Sequence, residues 1–391
     1  MAHIQIFQDN VVVSNVIVGD GLSLDGALGG CLQPYSNVFV VFDRQIVLKS
    51  HYMHELIQEF INKDVPVKAI DATESGKTIE TVMEICSWLL DKGADRDALV
   101  LAIGGGITTD MAGFAACIYK RGVRYANLPT TLLAQVDAAL GGKTGVNHEK
   151  YKNILGVICQ PQFTYLCPKV LESLSRRDFL SGAAEMLKTF IIEDGGMYER
   201  AVAFLKAYAE DSEKTLSDRR KELCELIAAA AAVKAGVVSR DQFEKGERRV
   251  LNLGHTFAHA IETLAQKEGC GMLPLNLSEP VTKVTHGEAV AMGIVLAAKL
   301  SEKLAGSDVG LIARLNGLFN EPKPGLAAKL EADFQNGGLP VVCPYSMNEM
   351  ADAMKKDKKV EGRKVHFVVP REIGKVDIVD LKVDEVVKLM K

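Results

Sequence analysis

Two imidazoles and a carboxylate stand close together in NLGHTFAHAIE (252–262), where His255, His259 and Glu262 follow one another at i, i+4 and i+7. On a helix these positions share one face. The spacing suits a divalent metal or a bound anion, and equally suits hydrogen-bonded core histidines. Gly254, Ala258 and Ala260 leave the backbone around them approachable. HGEAVAMG (286–293) opens a helix on a further metal-ligating candidate, His286, with Glu288 placed to complement the helix dipole. GAAEMLK (182–188) sets Glu185 and Lys188 three apart, which by itself describes a surface ion pair contributing roughly 0.2–0.5 kcal/mol.

Other stretches suit anions. GGGITTDMAGFAACIYKRG (104–122) joins a strand to a helix through three glycines. Backbone N–H groups at such a turn can hold a pyrophosphate with no side chain in the way, although a plain tight turn fits almost as well. Asp110 reads as a helix cap or as an acceptor for a ligand. PTTLLAQVDAALGGKTGVNHEKYKN (129–153) offers Asp137, the pair Gly141-Gly142, Lys143, Asn147, Lys152 and Asn153, a donor set suited to a phosphate or a polyhydroxylated substrate. Lys234, inside AAAAAVKAGVV, either snorkels to an edge or meets a buried anion. Arg248 and Arg249 add cations just before Asn252, and Lys358 with Lys359 reads by composition as a solvated charge run.

The elements that must position these residues fall into two textures. NVFVVFD (37–43), PVKAID (66–71) and ALVLAIGGG (98–106) read as strands, separated by helices at 51–63 and 78–93. That alternation predicts an α/β domain with a parallel sheet, helices on both faces and ligands at the carboxyl ends of the strands. After about residue 178 the chain turns helical, with helices expected at 181–192, 224–238 and 285–306 and at the C-terminus. The second of these is apolar nearly all round and reads as buried in a bundle. The boundary is placed in 173–178, giving an α/β domain at 1–177 and a mainly α-helical domain at 178–391. A chain of 391 residues has the length for two such cores.

Composition narrows the partners. A net charge of −4, with 48% hydrophobic and 25% charged residues, gives no reason to expect nucleic acid or an acidic membrane surface. Eight cysteines (31, 86, 117, 159, 167, 224, 270, 343) are scattered without a CxxC pair, as expected of reduced, buried thiols in a cytosolic protein. The N-terminal stretch lacks a basic segment followed by an apolar core, and no apolar run approaches a span of ~18 residues. The cytoplasm is the expected location.

Taken in order, these blocks resemble 3-dehydroquinate synthase, of the sugar-phosphate cyclase group, over roughly residues 37–370. The resemblance implies a Rossmann-like NAD domain followed by a helical metal- and substrate-binding domain, and a homodimer. It implies conversion of 3-deoxy-arabino-heptulosonate 7-phosphate to 3-dehydroquinate and phosphate by transient oxidation, β-elimination, reduction and aldol closure. By position it assigns Glu185, His255 and His286 to a Zn2+ or Co2+ ion. It assigns Asp43, Glu74, Lys77, Gly105, Gly106, Asp110, Thr130 and Thr131 to NAD. Lys143, Asn153, Asn252 and His259 match phosphate-binding positions, with Arg121 reaching across from the partner. Lys234, Arg248 and either Lys358 or Lys359 match the carboxylate set, and Asp137, Lys152 and Lys188 match contacts to hydroxyls or to the phosphate region. Glu262 falls outside the chemistry. Ala258 stands where the family commonly has Gly, and residues 263–285 exceed the family's usual link. The alternatives are another sugar-phosphate cyclase and a metal-dependent polyol dehydrogenase.

Overall fold

The computed structural model describes residues 2–35, 37–149, 151–266, 284–357 and 364–391. Lys358, Lys359 and most of the 263–285 stretch lie outside the described residues. Contacts divide the chain into two compact units: Met1–Phe179 with Arg219–Phe243, and Leu180–Asp218 with Glu244–Lys391.

The first unit runs β1 (Ala2–Gln8), β2 (Val11–Val18), α1 (Ala27–Leu32), β3 (Val38–Asp43), α2 (Arg44–Lys49), α3 (His51–Asn62), β4 (Val67–Ile70) and α4 (Ile79–Asp91). It continues through β5 (Leu99–Gly104), α5 (Gly106–Ile118), β6 (Arg124–Pro129), β7 (Lys143–His148), β8 (Tyr151–Ile158) and β9 (Phe163–Leu166). A seven-stranded sheet has the order β1-β2-β9-β6-β5-β3-β4. β1 is antiparallel to β2, and the remaining pairs are parallel. Every residue of β5 is buried, so both of its alternating faces are covered, as in a sheet layered between helices. Phe39, Val41, Val100 and Ala102 point to one side and form a core with Ile85 and Leu89 of α4 and Met111, Ala112 and Ala115 of α5.

The strand and helix periods of residues 37–106 were legible, but the antiparallel hairpins β1–β2 and β7–β8 were not foreseen. β8 is exposed along nearly its whole length, so it lacks the alternation that marks a half-buried strand.

The second unit holds most of α6 (Arg176–Glu193), then α7 (Gly195–Glu210) and α8 (Ser212–Asp218). After α9 (Arg220–Arg240), which belongs to the first unit, it resumes with α10 (His255–Ala265), α11 (His286–Ala305), α12 (Asp308–Leu315), α13 (Leu326–Asn336) and α14 (Met347–Asp357). A hairpin of β10 (Val365–Glu372) and β11 (Lys375–Leu381) and a last helix, α15 (Val383–Met390), complete it. α11 is buried along most of its length and packs against α10, α13 and β10. The helical texture is as expected, except for the β10–β11 hairpin. α9 corrects the bundle reading: its apolar surface lies against β1 and a π-helical turn at Ala134–Ala138. Among the described residues no helix is long and apolar enough to cross a membrane.

Candidate metal centre and anion-binding residues

Three helices of the second unit bring one acid and two imidazoles together. Glu185, fully buried on α6, faces His255 Nε2 at 3.6 Å and His286 Nε2 at 3.3 Å through the same carboxylate oxygen. One ligand atom from each of the three lies within 4.8 Å of the others. Local sequence fixes each element. Thr285 and Glu288 form a reciprocal capping box that starts α11 at His286, which gives Glu288 a more definite task than complementing the dipole. Gly254 caps α10 with φ of +78°, and a β-carbon there would sit 2.9 Å from the Ile294 nitrogen. Gly287 lets α11 press on α6, where its N–H donates to Ser181 Oγ at 3.0 Å.

The imidazoles are oriented by their other nitrogens. His255 Nδ1 donates to the Leu253 carbonyl at 3.2 Å, leaving Nε2 as the lone-pair nitrogen. His286 Nδ1 lies 3.5 Å from Glu262 Oε1. Glu262 therefore returns to the site, contrary to the sequence reading. It holds the ring of a ligand candidate, and only the packing of α10 on α11 reveals that role.

Glu185 and Lys188 are no surface pair. Their side chains are 0% and 1% exposed, 2.5 Å apart. Burial alone would raise the Glu185 carboxyl, but Lys188 and the imidazoles outweigh it and hold the group well below the usual range. Burial, reinforced by Lys188, takes His255 down to about 3, so its imidazole is neutral at pH 7. Burial lowers His286 too, yet the hydrogen bonds to Glu185 and Glu262 prevail and raise it to about 10. Within this buried carboxylate Oε2 pairs with Lys188 while Oε1 faces both imidazole nitrogens, the side from which a divalent ion would be held.

Nearby in the same unit, Arg248 is buried and Asn252 donates to Glu244 Oε1 at 2.8 Å. Glu244 is a partner that sequence reasoning missed, since nothing in the local pattern links it to a residue eight positions on. His259 is exposed, its ring 5.7 Å from that of His255.

The first unit gathers a second set along the carboxyl ends of its strands. Phe42 pairs with Ile103 and Gly104 with Pro129. Asp43, Gly105, Gly106, Thr130 and Thr131 therefore leave β3, β5 and β6 at one edge. Gly106 is closely approached, since a β-carbon there would meet Ala138 Cβ at 3.0 Å. Thr130 Oγ1 is buried with no hydrogen-bond partner among the described residues.

Of the two readings of Asp110, the cap falls away. The residue lies inside α5 rather than capping it, and receives Lys77 Nζ at 2.5 Å. Burial pushes its carboxyl up to about 6 against the attraction of Lys77. Lys77 also donates to Asn153 Oδ1 at 2.6 Å. Asn147 links Asn153 to Glu74: its Oδ1 receives the Asn153 N–H, and its amide donates to Glu74 Oε1 at 2.8 Å. Lys234 resolves as a cation meeting an anion, bonded to the Asp137 carboxylate. Asp43 caps α2 through the Gln45 N–H. Lys143, Lys152 and Arg121 are exposed.

The family model for the N-terminal part of 3-dehydroquinate synthase matches residues 67–181, and that for the C-terminal part matches residues 182–360. The 3-dehydroquinate synthase of Caldanaerobacter subterraneus subsp. tengcongensis is 35% identical over 360 residues, covering 91% of this chain and 90% of that protein. The 3-dehydroquinate synthase of Pyrococcus abyssi is 37% identical over 350 residues, covering 90% and 91%. Among solved structures, a 2-epi-5-epi-valiolone synthase from Streptomyces hygroscopicus subsp. jinggangensis with NAD+ and Zn2+ bound superposes with a TM-score of 0.76 at 27% identity, covering 97% of this chain and 96% of that one. With two family models meeting at residues 181 and 182, and relatives aligned along nine-tenths of both chains, the chain belongs to the 3-dehydroquinate synthase family.

Proposed function

We propose that the chain carries out the family's conversion of 3-deoxy-arabino-heptulosonate 7-phosphate to 3-dehydroquinate and phosphate as an NAD- and metal-dependent lyase. The fully buried Glu185, one carboxylate oxygen of which faces two imidazole nitrogens, is the observation that carries the reading. His255, His286 and Glu185 would hold zinc or cobalt, a one-acid, two-imidazole set that leaves positions open to substrate hydroxyls. The strand-end residues Asp43, Gly105, Gly106, Thr130 and Thr131 would hold NAD, with Glu74, Lys77 and Asp110 beside them. When bound, these groups supply reversible hydride transfer and polarisation of a hydroxyl.

The chain's own residues bind and orient the substrate. Lys143, Lys152, Asn153, Asn252 and His259 would take the phosphate, and Arg121 would do so from a partner subunit. Lys234 and Arg248 would take the carboxylate, for which Lys358 or Lys359 also stands as a candidate, and Asp137 and Lys188 would meet hydroxyls. Lys234 is bonded to the Asp137 carboxylate, so a substrate carboxylate would meet a cation that already has an anionic partner rather than a bare charge.

The test is to follow inorganic phosphate, 3-dehydroquinate and NADH together in purified protein supplied with NAD, zinc and the heptulosonate phosphate. Phosphate and 3-dehydroquinate should appear in equal amounts with no accumulating NADH. Absence of phosphate release overturns the reading, and steady NADH accumulation with an alcohol substrate would favour a polyol dehydrogenase. Another sugar-phosphate cyclase is the second reading, favoured by the likeness to the valiolone synthase. A heptulose phosphate lacking the carboxylate should be the poorer substrate here, because the carboxylate set would have nothing to hold.

Two further outcomes follow. Glu262→Gln should weaken zinc affinity about 10–100-fold by releasing the His286 ring. Competition with a chelating dye measures it, and a change under threefold would remove Glu262 from the support of the site. We also assign a homodimer, supported by exposed aliphatic side chains on β8, with Ile154 59% exposed and Leu155 and Val157 each 36% exposed. Ile154→Glu should convert the dimer to monomer in sedimentation velocity, and an unchanged coefficient would locate the interface elsewhere.

A further inference from the structure

The β7–β8 hairpin closes at its base, where the Cys159 N–H donates to the Gly142 carbonyl at 2.8 Å. Cys159 is exposed there; the expectation of buried thiols holds for Cys167 alone among the described cysteines. Pairing is regular from Lys143 with Ile158 to Val146 with Leu155, and resumes at His148 with Tyr151. Between these pairs one residue, Asn147, stands opposite three, Lys152, Asn153 and Ile154. Extra residues on one strand bend it, re-aim its side chains and leave backbone groups outside the ladder. Asn153 accordingly has a φ of +52°, in the left-handed region that asparagine enters more readily than most side chains. Its N–H, outside the ladder, needs a partner elsewhere.

Asn147 supplies that partner. Its Oδ1 accepts the Asn153 N–H at 2.9 Å, and its Nδ2 donates to Glu74 Oε1 at 2.8 Å and to the Glu74 carbonyl at 3.3 Å. Its own N–H donates to the Lys77 carbonyl at 2.9 Å. Partner chemistry decides how both amides are turned. A backbone N–H only donates and a carboxylate only accepts, so Asn147 must direct its oxygen to Asn153 and its nitrogen to Glu74. Lys77 Nζ, which also only donates, lies 2.6 Å from Asn153 Oδ1. Asn153 therefore keeps its Nδ2 donors for another ligand. Lys77 is 5% exposed and is held in turn by Asp110.

We infer that Asn147 is a positioning residue for the proposed reaction, a role that rests on that reading for both ligands. It holds the Asn153 backbone so that the Asn153 amide donates to the substrate phosphate, and it fixes this donor to the Glu74–Lys77 segment assigned to NAD. Asn147 acts through Asn153, because its own N–H, Oδ1 and Nδ2 are all engaged within the protein. Loss of the Asn147 side chain would leave the Asn153 N–H to water and release the residue from its left-handed conformation, which carries its donors away from the phosphate. Aspartate at residue 147 would keep the acceptor for Asn153 and replace only the donor that faces Glu74.

The experiment measures binding of inorganic phosphate by isothermal titration calorimetry in the full-length protein supplied with NAD and zinc, across the parent, Asn147→Ala, Asn153→Ala and the double variant. Each single change should weaken phosphate by about tenfold, the loss of one hydrogen bond to a charged group. The double variant should bind within about twofold of Asn153→Ala, because a residue that acts through Asn153 then has nothing left to act on. Asn147→Asp should bind phosphate within about threefold of the parent, since an aspartate oxygen still accepts the Asn153 N–H. In hydrogen exchange, the 151–158 peptide of Asn147→Ala should lose protection while 99–104 keeps it, which separates local release from misfolding. Losses that multiply in the double variant, either single alanine variant binding phosphate as the parent does, or Asn147→Asp losing as much as Asn147→Ala, overturn the inference. These are binding measurements and need no turnover of the heptulosonate phosphate, so failure of that reaction and failure of Asn147 as a positioning residue are separate results.

Discussion

Lys188→Met should lower the unfolding midpoint of the metal-free protein by on the order of 10 °C, and saturating zinc should restore most of the loss. Lys188 is 1% exposed and sits 2.5 Å from a Glu185 carboxylate that is 0% exposed. Removing one member of such a pair strands the other charge, at a cost of about 3–5 kcal/mol. At roughly 2–4 °C per kcal/mol for domains of 150–250 residues, that becomes the stated shift. Methionine nearly conserves the volume, so little of the effect comes from a cavity. A divalent ion beside Glu185 returns the missing positive charge, and binding to the folded state alone stabilises it by mass action. Differential scanning fluorimetry with chelator and with zinc measures both numbers. Equal midpoints for the variant and the parent without metal would show that Lys188 does not compensate Glu185.

Gly287→Ala should cost at least about 100-fold in both zinc affinity and turnover while leaving the helical circular dichroism intact. A β-carbon at residue 287 would lie 1.9 Å from the Ser181 carbonyl oxygen and 2.5 Å from its carbon. Backbone cannot swing aside as a side chain can, so α6 and α11 must part by about 1 Å or more, a scale at which misplacement of a reacting group costs about 100-fold. The displacement falls where α6 presents Glu185 and α11 presents His286, whose separation is 3.3 Å. Gly306, at the other end of α11, has nothing within 4 Å of the same virtual atom. Gly306→Ala should therefore leave zinc affinity and turnover within twofold of the parent. If Gly287→Ala binds zinc as the parent does, the close approach of the two helices is not what sets the ligand geometry.

The contrast between these glycines shows what the sequence could carry. Periodicity located β5 and α11 to within a residue or two, because an unbroken apolar strand and a capped helix advertise themselves locally. It also marked α9 as buried, but an apolar surface does not name its neighbour, and the helix lies on β1 rather than in a bundle. The three ligand candidates come from α6, α10 and α11. No local pattern joins them, and the family resemblance supplied that set. Glu262 was lost for a related reason. It lies seven residues after His255, so its helical spacing invited a comparison with that ligand, whereas its partner is His286 on the next helix. For Asp110 the sequence left a cap and a ligand acceptor open, and the cap is excluded because the helix has already begun at Gly106.

The ends of the seven-stranded sheet have a consequence for how copies of this chain can meet. An open edge offers unpaired N–H and C=O groups to any passing strand. Here β4 closes one side with only four residues, Lys68 among them. β1 closes the other with a register irregularity between Ile6 and Phe7, and the Phe7 N–H is already taken by Ser239 Oγ of α9 at 2.9 Å. Both margins thus carry features that disfavour growth of the sheet from chain to chain. Any association of copies would then fall to side-chain surfaces, which can saturate in a closed pair, rather than to backbone ladders, which cannot.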